Sequence, residues 1–143
     1  MTRLSLADYQ KLVGAPGKSK YNNNKPTFYD ADKRETLTFD SNKELEYYLL
    51  LKDRQKRGEI KDLERQVSFE IQPGFTMPSG EHIRAITYIA DFVYLEKNND
   101  PDIALKYTRR IIDVKGSPKT LTEVYKLKKK LLAYKGIYIE EVY

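Results

Sequence analysis

The sequence predicts an α/β domain whose mixed central sheet is flanked by helices. Three observations carry this: Glu81 to Leu95 is apolar on both faces of a strand alternation, an apolar helical stripe follows Asp40-Ser41, and a second such stripe in a lysine-rich segment precedes a last short apolar run. A length of 143 residues suits one such domain and leaves little for a second.

Leu4 to Val13 reads as a short helix ended by Gly14, Pro16 and Gly17. Lys18 to Pro26 is polar and turn-rich, an exposed basic arm that would order on a partner. Residues 1–26 are thus an N-terminal short helix and flexible arm, and residues 27–143 the folded domain. Thr27 to Tyr29 and Thr36 to Phe39 predict two short strands joined by the charged turn Asp30 to Glu35. A helix follows Asp40-Ser41, turns Leu45, Tyr48 and Leu49 inward and stops at Gly58. Glu59 to Leu63 reads as a connector.

Val67, Phe69 and Ile71 alternate with Ser68 and Glu70, which predicts a half-buried strand ending at Pro73-Gly74. After the turn Pro78 to Gly80, one long strand is expected over Glu81 to Leu95, with Asp91 and Val93 on one face and Tyr88, Ala90 and Phe92 on the other. Lys97 to Asp102 is a loop, and Ile103 to Val114 the next strand. Thr120 is placed to cap a last helix that carries Leu121, Val124, Leu127 and Leu131 inward and Lys126, Lys129 and Lys130 toward water. Gly136 breaks it before the strand Ile137 to Ile139, which a right-handed parallel crossover would place in the sheet.

Composition narrows the chemistry. Without cysteine there is no thiolate ligand or nucleophile, and with His82 as the single histidine no zinc site of several imidazoles can form. Hydrolysis would rest on carboxylates and lysines. A surplus of 26 Lys and Arg over 21 Asp and Glu favours an anionic partner without saying which. The sequence contains no long apolar segment, so a cytoplasmic protein with no membrane attachment is expected.

Asp91 interrupts the apolar run Tyr88-Ile-Ala-Asp-Phe-Val-Tyr94, and an uncompensated buried carboxylate costs several kcal/mol, so a cation or hydrogen-bond donors must stand near it. Asp113 interrupts Ile111-Ile-Asp-Val-Lys115 in the same way, with Lys115 one pleat further on the same face. Two carboxylates from neighbouring strands suit Mg²⁺, or Mn²⁺ in its place, with water and phosphate completing the shell. The plainer alternative is that both are strand-end residues in water and that Lys115 solubilises an edge. Glu44 stands three residues after Ser41, the spacing of a capping box, yet a first-turn carboxylate also serves a metal or its water.

The segments Phe39 to Tyr48, Gly58 to Gln66, Tyr88 to Phe92 and Asp113 to Gly116, with the lysine-rich helix, resemble a small, mostly phage-encoded family catalogued as a domain of unknown function. That family is similar to the PD-(D/E)XK nuclease superfamily. The resemblance implies a restriction-endonuclease-like core over residues 27–143 and a metal-dependent endonuclease acting on DNA, with branched or recombination and replication intermediates of a phage as substrates. It assigns catalytic roles to Glu44, Asp91, Asp113 and Lys115, metal binding to Asp91, Asp113 and Glu44, and a phosphate or metal-water contact to Gln66. Asp113 stands where Glu is commoner, and its shorter side chain shifts the expected metal position.

Lys18, Lys20, Lys25, Arg109, Arg110, Lys119, Lys126, Lys128, Lys129 and Lys130 are the expected phosphate contacts, reading shape rather than bases. A homodimer would be needed for paired incisions. The alternatives are a catalytically silent nucleic-acid-binding module and a basic protein-interaction domain.

Overall fold

The computed structural model describes residues 25–143, so the expected helix at Leu4 to Val13 and the lysines Lys18 and Lys20 lie outside the described residues. The chain divides into two compact units, Met1–Glu59 and Ile60–Tyr143.

In the first unit, β1 (Thr27–Asp30) pairs antiparallel with β2 (Glu35–Thr38), opposing Phe28 to Leu37. Helix α1 (Asn42–Lys56) follows. Its N-cap is Ser41, whose hydroxyl accepts the Glu44 N–H at 3.1 Å and so satisfies one of the orphan donors of the first turn. Its last turn closes at Arg57, and Gly58 takes the left-handed conformation (φ 75°) that glycine adopts without steric cost. Leu45, Tyr48, Leu49 and Leu51 are buried, and the Tyr48 ring lies 5.2 Å from Phe39 and 6.3 Å from Phe28. Hairpin and helix stand as the sequence predicts.

In the second unit, β3 (Ile60–Gln72), β6 (Ile86–Lys97), β7 (Tyr107–Val114) and β8 (Ile139–Val142) form one mixed sheet in that order. The first two pairings are antiparallel and β7 with β8 is parallel, as a crossover through a helix requires. That helix is α2 (Glu123–Tyr134), capped by Thr122 rather than Thr120, which belongs to a 3-10 turn over Pro118–Thr120. β4 (Phe75–Thr76) and β5 (His82–Ile83) make a separate two-stranded ribbon. Among the described residues no helix is long and apolar enough to cross a membrane.

Four further expectations are corrected. Glu59 to Leu63 is no connector: β3 begins at Ile60, and left-handed Asp62 (φ 55°) together with a register shift hides the alternation there. The single strand from Glu81 is two, β5 and β6, separated at Arg84-Ala85. Ile103 and Leu105 are exposed loop residues, because Asp100 organises a turn by accepting the N–H of Asp102 on its side chain and that of Ile103 on its carbonyl. The inward face of α2 is Tyr125 and Leu132, while Val124, Leu127 and Leu131 are exposed.

The core of this unit joins Phe69, Ile71, Tyr88, Ala90, Val93, Ile111 and Ile139 to Tyr125 and Leu132 of α2. Tyr88 and Val93 both reach it although an unbroken strand would send them to opposite faces, so the alternation of β6 is interrupted between Ala90 and Val93. Asp91 sits at the interruption.

Candidate functional site

At the end of β7, Asp113 is buried and Lys115 half-buried, and the Lys115 ammonium lies 3.0 Å from Asp113 Oδ1. One pleat separates them, so both emerge on one face. Asp91 comes from β6 across the strand junction: its Oδ2 accepts the N–H of Val114, the residue between Asp113 and Lys115, at 2.7 Å. The β6–β7 pairing runs as far as Phe92 against Ile112, and Asp91 and Asp113 are the next residues beyond it on the two strands. Of the four residues expected to converge, Asp91, Asp113 and Lys115 are thus neighbours at the end of β7.

Gln66 is exposed and holds φ 51°, a left-handed conformation rare outside glycine. Its neighbours pair as Arg65 with Phe92 and Val67 with Ala90, which leaves Gln66 opposite Asp91. Glu44 belongs to the first unit, where it is buried in the first turn of α1 and its backbone N–H is held by Ser41.

Residues that the sequence reading did not single out complete the surroundings. The Tyr88 hydroxyl donates to Asp113 Oδ2 in a short hydrogen bond. The Tyr125 ring lies under Lys115, 3.9 Å from its ammonium, and 6.2 Å from the Tyr88 ring. Glu141 is the direct β8 partner of Asp113 and accepts from Lys129 of α2 at 2.5 Å. Burial, reinforced by the charge of Asp113, holds both tyrosine hydroxyls far above their usual pKa, so they stay neutral. Burial pushes Glu141 upward, but the Lys129 ammonium and further hydrogen bonds outweigh it and leave the carboxyl below its usual range.

The basic residues fall into two groups. Arg110 bridges Glu96 and Glu140, Lys129 is engaged by Glu141, and Lys128 donates to the Thr87 carbonyl at 2.8 Å. Arg109, Lys119, Lys126 and Lys130 are exposed, although Arg109 stacks 5.1 Å from the Phe69 ring and Lys126 meets Glu123 at 3.2 Å. Lys25 is exposed in the first unit and paired with Asp40 at 2.7 Å.

Among the described residues no three His, Asp or Glu side chains gather closely enough to hold a metal by themselves. Two aspartates on adjacent strands nevertheless fit Mg²⁺, which commonly takes one or two carboxylates and fills its octahedron with water and substrate phosphate. The donor set is all oxygen, as that ion prefers.

Residues 18–142 match the family described as protein of unknown function (DUF1064). The chain belongs to this family. No curated protein and no solved structure matches the chain. Among the described residues, those matched span all the strands and both α-helices.

Proposed function

We propose that this DUF1064 protein is a metal-dependent nuclease that hydrolyses phosphodiester bonds in DNA. The observation that carries the reading is the meeting of Asp91, Asp113 and Lys115 around the Val114 amide, with an ammonium 3.0 Å from a buried carboxylate. Asp91 and Asp113 would hold Mg²⁺ or Mn²⁺. Such a cation acidifies water and draws charge from a phosphoryl group.

The residues of the chain supply the rest. The Val114 N–H fixes the orientation of Asp91. Lys115 presents a cation where negative charge grows on the phosphorus-bound oxygens, and half-burial makes that charge count for more than it would in water. Gln66, opposite Asp91, is placed to meet a phosphate with its amide. The mixed sheet with a helix in its parallel crossover agrees with the restriction-endonuclease-like core that the PD-(D/E)XK resemblance implies. Branched or recombination and replication intermediates of a phage are the substrates that follow from that resemblance, and a homodimer would deliver paired incisions.

A second reading has its own observation. Both oxygens of Asp113 are already engaged, by Tyr88 and Lys115, which is how a buried carboxylate is compensated in a silent binding module. A cleavage assay with and without Mg²⁺ on linear, nicked, flap and four-way DNA, run on wild type and D113N, decides between them. Cleavage by the wild type alone, and only with metal, supports the nuclease. Tight binding by both without cleavage supports the silent module.

A further inference from the structure

Lys115 is the side chain whose placement matters most to the proposed chemistry, yet its ammonium ends a flexible four-carbon stem. Its position is set by two groups, one on its own strand and one on α2. Asp113 Oδ1 stands 3.0 Å away on one side and the face of the Tyr125 ring 3.9 Å away on the other. A ring face attracts an ammonium through its quadrupole, more strongly as water is withdrawn, and the Lys115 side chain is only 23% exposed. Asp113 is fixed in turn by the Tyr88 hydroxyl, which occupies Oδ2 and leaves Oδ1 for Lys115. Tyr88 and Tyr125 touch each other, with ring planes 51° apart. One aromatic pair, drawn from β6 and α2, thus holds both members of the ion pair.

We propose that Tyr88 and Tyr125 are positioning residues that fix the Asp113–Lys115 pair for reaction, a role that rests on the nuclease reading above. Tyr125 is one of only two buried residues of α2, so the helix contributes a ring face to the site as well as an anchor to the core. Mere core packing by Tyr125 would be satisfied by any side chain of similar volume. A positioning role requires the π face.

The test compares full-length wild type, Tyr125→Met, Tyr125→Phe and Tyr88→Phe. Two quantities are read: steady-state cleavage of DNA with Mg²⁺, and the rate at which an amine-acylating reagent labels Lys115, followed by peptide mass spectrometry. Tyr125→Met keeps a long apolar side chain, though a smaller one, and removes the ring, so kcat should fall about tenfold at unchanged KM for DNA while Lys115 labels several-fold faster and other lysines do not. Tyr125→Phe keeps the ring and should stay within about twofold of wild type in both readouts. Tyr88→Phe should lower kcat about threefold and speed Lys115 labelling, since Asp113 is then free to turn. Wild-type behaviour of Tyr125→Met, or equal impairment of the Met and Phe variants, overturns the proposal. Should Tyr125→Met fail to fold by its melting curve, Tyr88→Phe decides in its place, and unchanged kcat and labelling there overturn it. A wild type that cuts no DNA ends the nuclease reading. Labelling then still decides on its own whether the tyrosines hold Lys115, faster labelling in the variants upholding that placement and equal labelling sinking it.

Discussion

Asp113 and Lys115 form an ion pair of 3.0 Å at the end of a central strand, with the carboxylate more deeply buried than the ammonium. In the proposed nuclease the two act on the same phosphate from different sides of the reaction: one holds the cation, the other offsets charge in the transition state. D113N and K115A should each reduce kcat by about 10²-fold or more, the range found when a preorganised electrostatic group is removed. DNA affinity at fixed salt should change less than about threefold, because most affinity comes from backbone contacts elsewhere. Fluorescence anisotropy and single-turnover cleavage on the same substrate measure the two. Loss of binding in step with cleavage would contradict this division.

The lysines and arginines should not contribute alike. Each phosphate contact removed lowers the slope of log K against log salt by about 0.9 for duplex DNA. Arg109, Lys119 and Lys130 are exposed, so alanine at each should flatten that slope by about one contact. Arg110 already bridges Glu96 and Glu140, and Lys129 is tied to Glu141. R110A and K129A should leave the slope nearly unchanged and show their effect in thermal stability instead. A salt titration over the five variants distinguishes the groups.

Asp91 and Asp113 stand out in the sequence because each is a carboxylate inside an apolar strand, and period-two geometry places Lys115 on the face of Asp113, but their catalytic roles rest on the family resemblance. Tyr88 and Tyr125 were not, since tyrosine at core spacing reads as packing and the hydroxyl contact of Tyr88 with Asp113 depends on a face change in β6. Glu141 was hidden for another reason: its pairing with Asp113 is a matter of parallel register across a crossover, which no local pattern encodes. The start of β3 was lost at Asp62 and Gln66, whose left-handed backbones break the alternation that would have shown a strand. The helix ends were clearer, because Ser41, Gly58 and Gly136 act through local capping geometry.

The first unit contains a buried carboxylate with no part in the proposed chemistry. Asp30 is 1% exposed and accepts from the Tyr48 hydroxyl at 2.5 Å, from the backbone N–H groups of Asp32 and Lys33, and from Lys52. Burial raises its pKa, but these donors together outweigh burial and hold the carboxyl below its ordinary 3.8. A depressed carboxyl stabilises the fold fully above the unfolded value and loses that contribution as pH falls through the folded one. Wild type should therefore lose stability as pH drops below about 3.8, and D30N should be less stable at neutral pH but flatter across that acid limb. Thermal melts from pH 7 to pH 2.5 would show it, and parallel curves for the two proteins would count against this account.

Helix α2 offers a direct contest between pattern and packing. By sequence, Leu121, Val124, Leu127 and Leu131 make the apolar stripe that should face the sheet, yet Leu127 is 57% exposed while Leu132 is 0% exposed within the core. The reason is that α2 carries apolar side chains on two faces, and the sheet takes the one that carries Leu132 and Tyr125, whose ring meets Lys115. Truncating a fully buried leucine removes its transfer energy and leaves a cavity, so L132A should cost about 2–5 kcal/mol. Leu127 has little burial to lose, and L127A should fall within about 0.5 kcal/mol of wild type. Urea denaturation of both variants measures the difference directly. A larger loss at Leu127 than at Leu132 would mean that the helix sits on the sheet by its other face, and the contact between Tyr125 and Lys115 would fall with it.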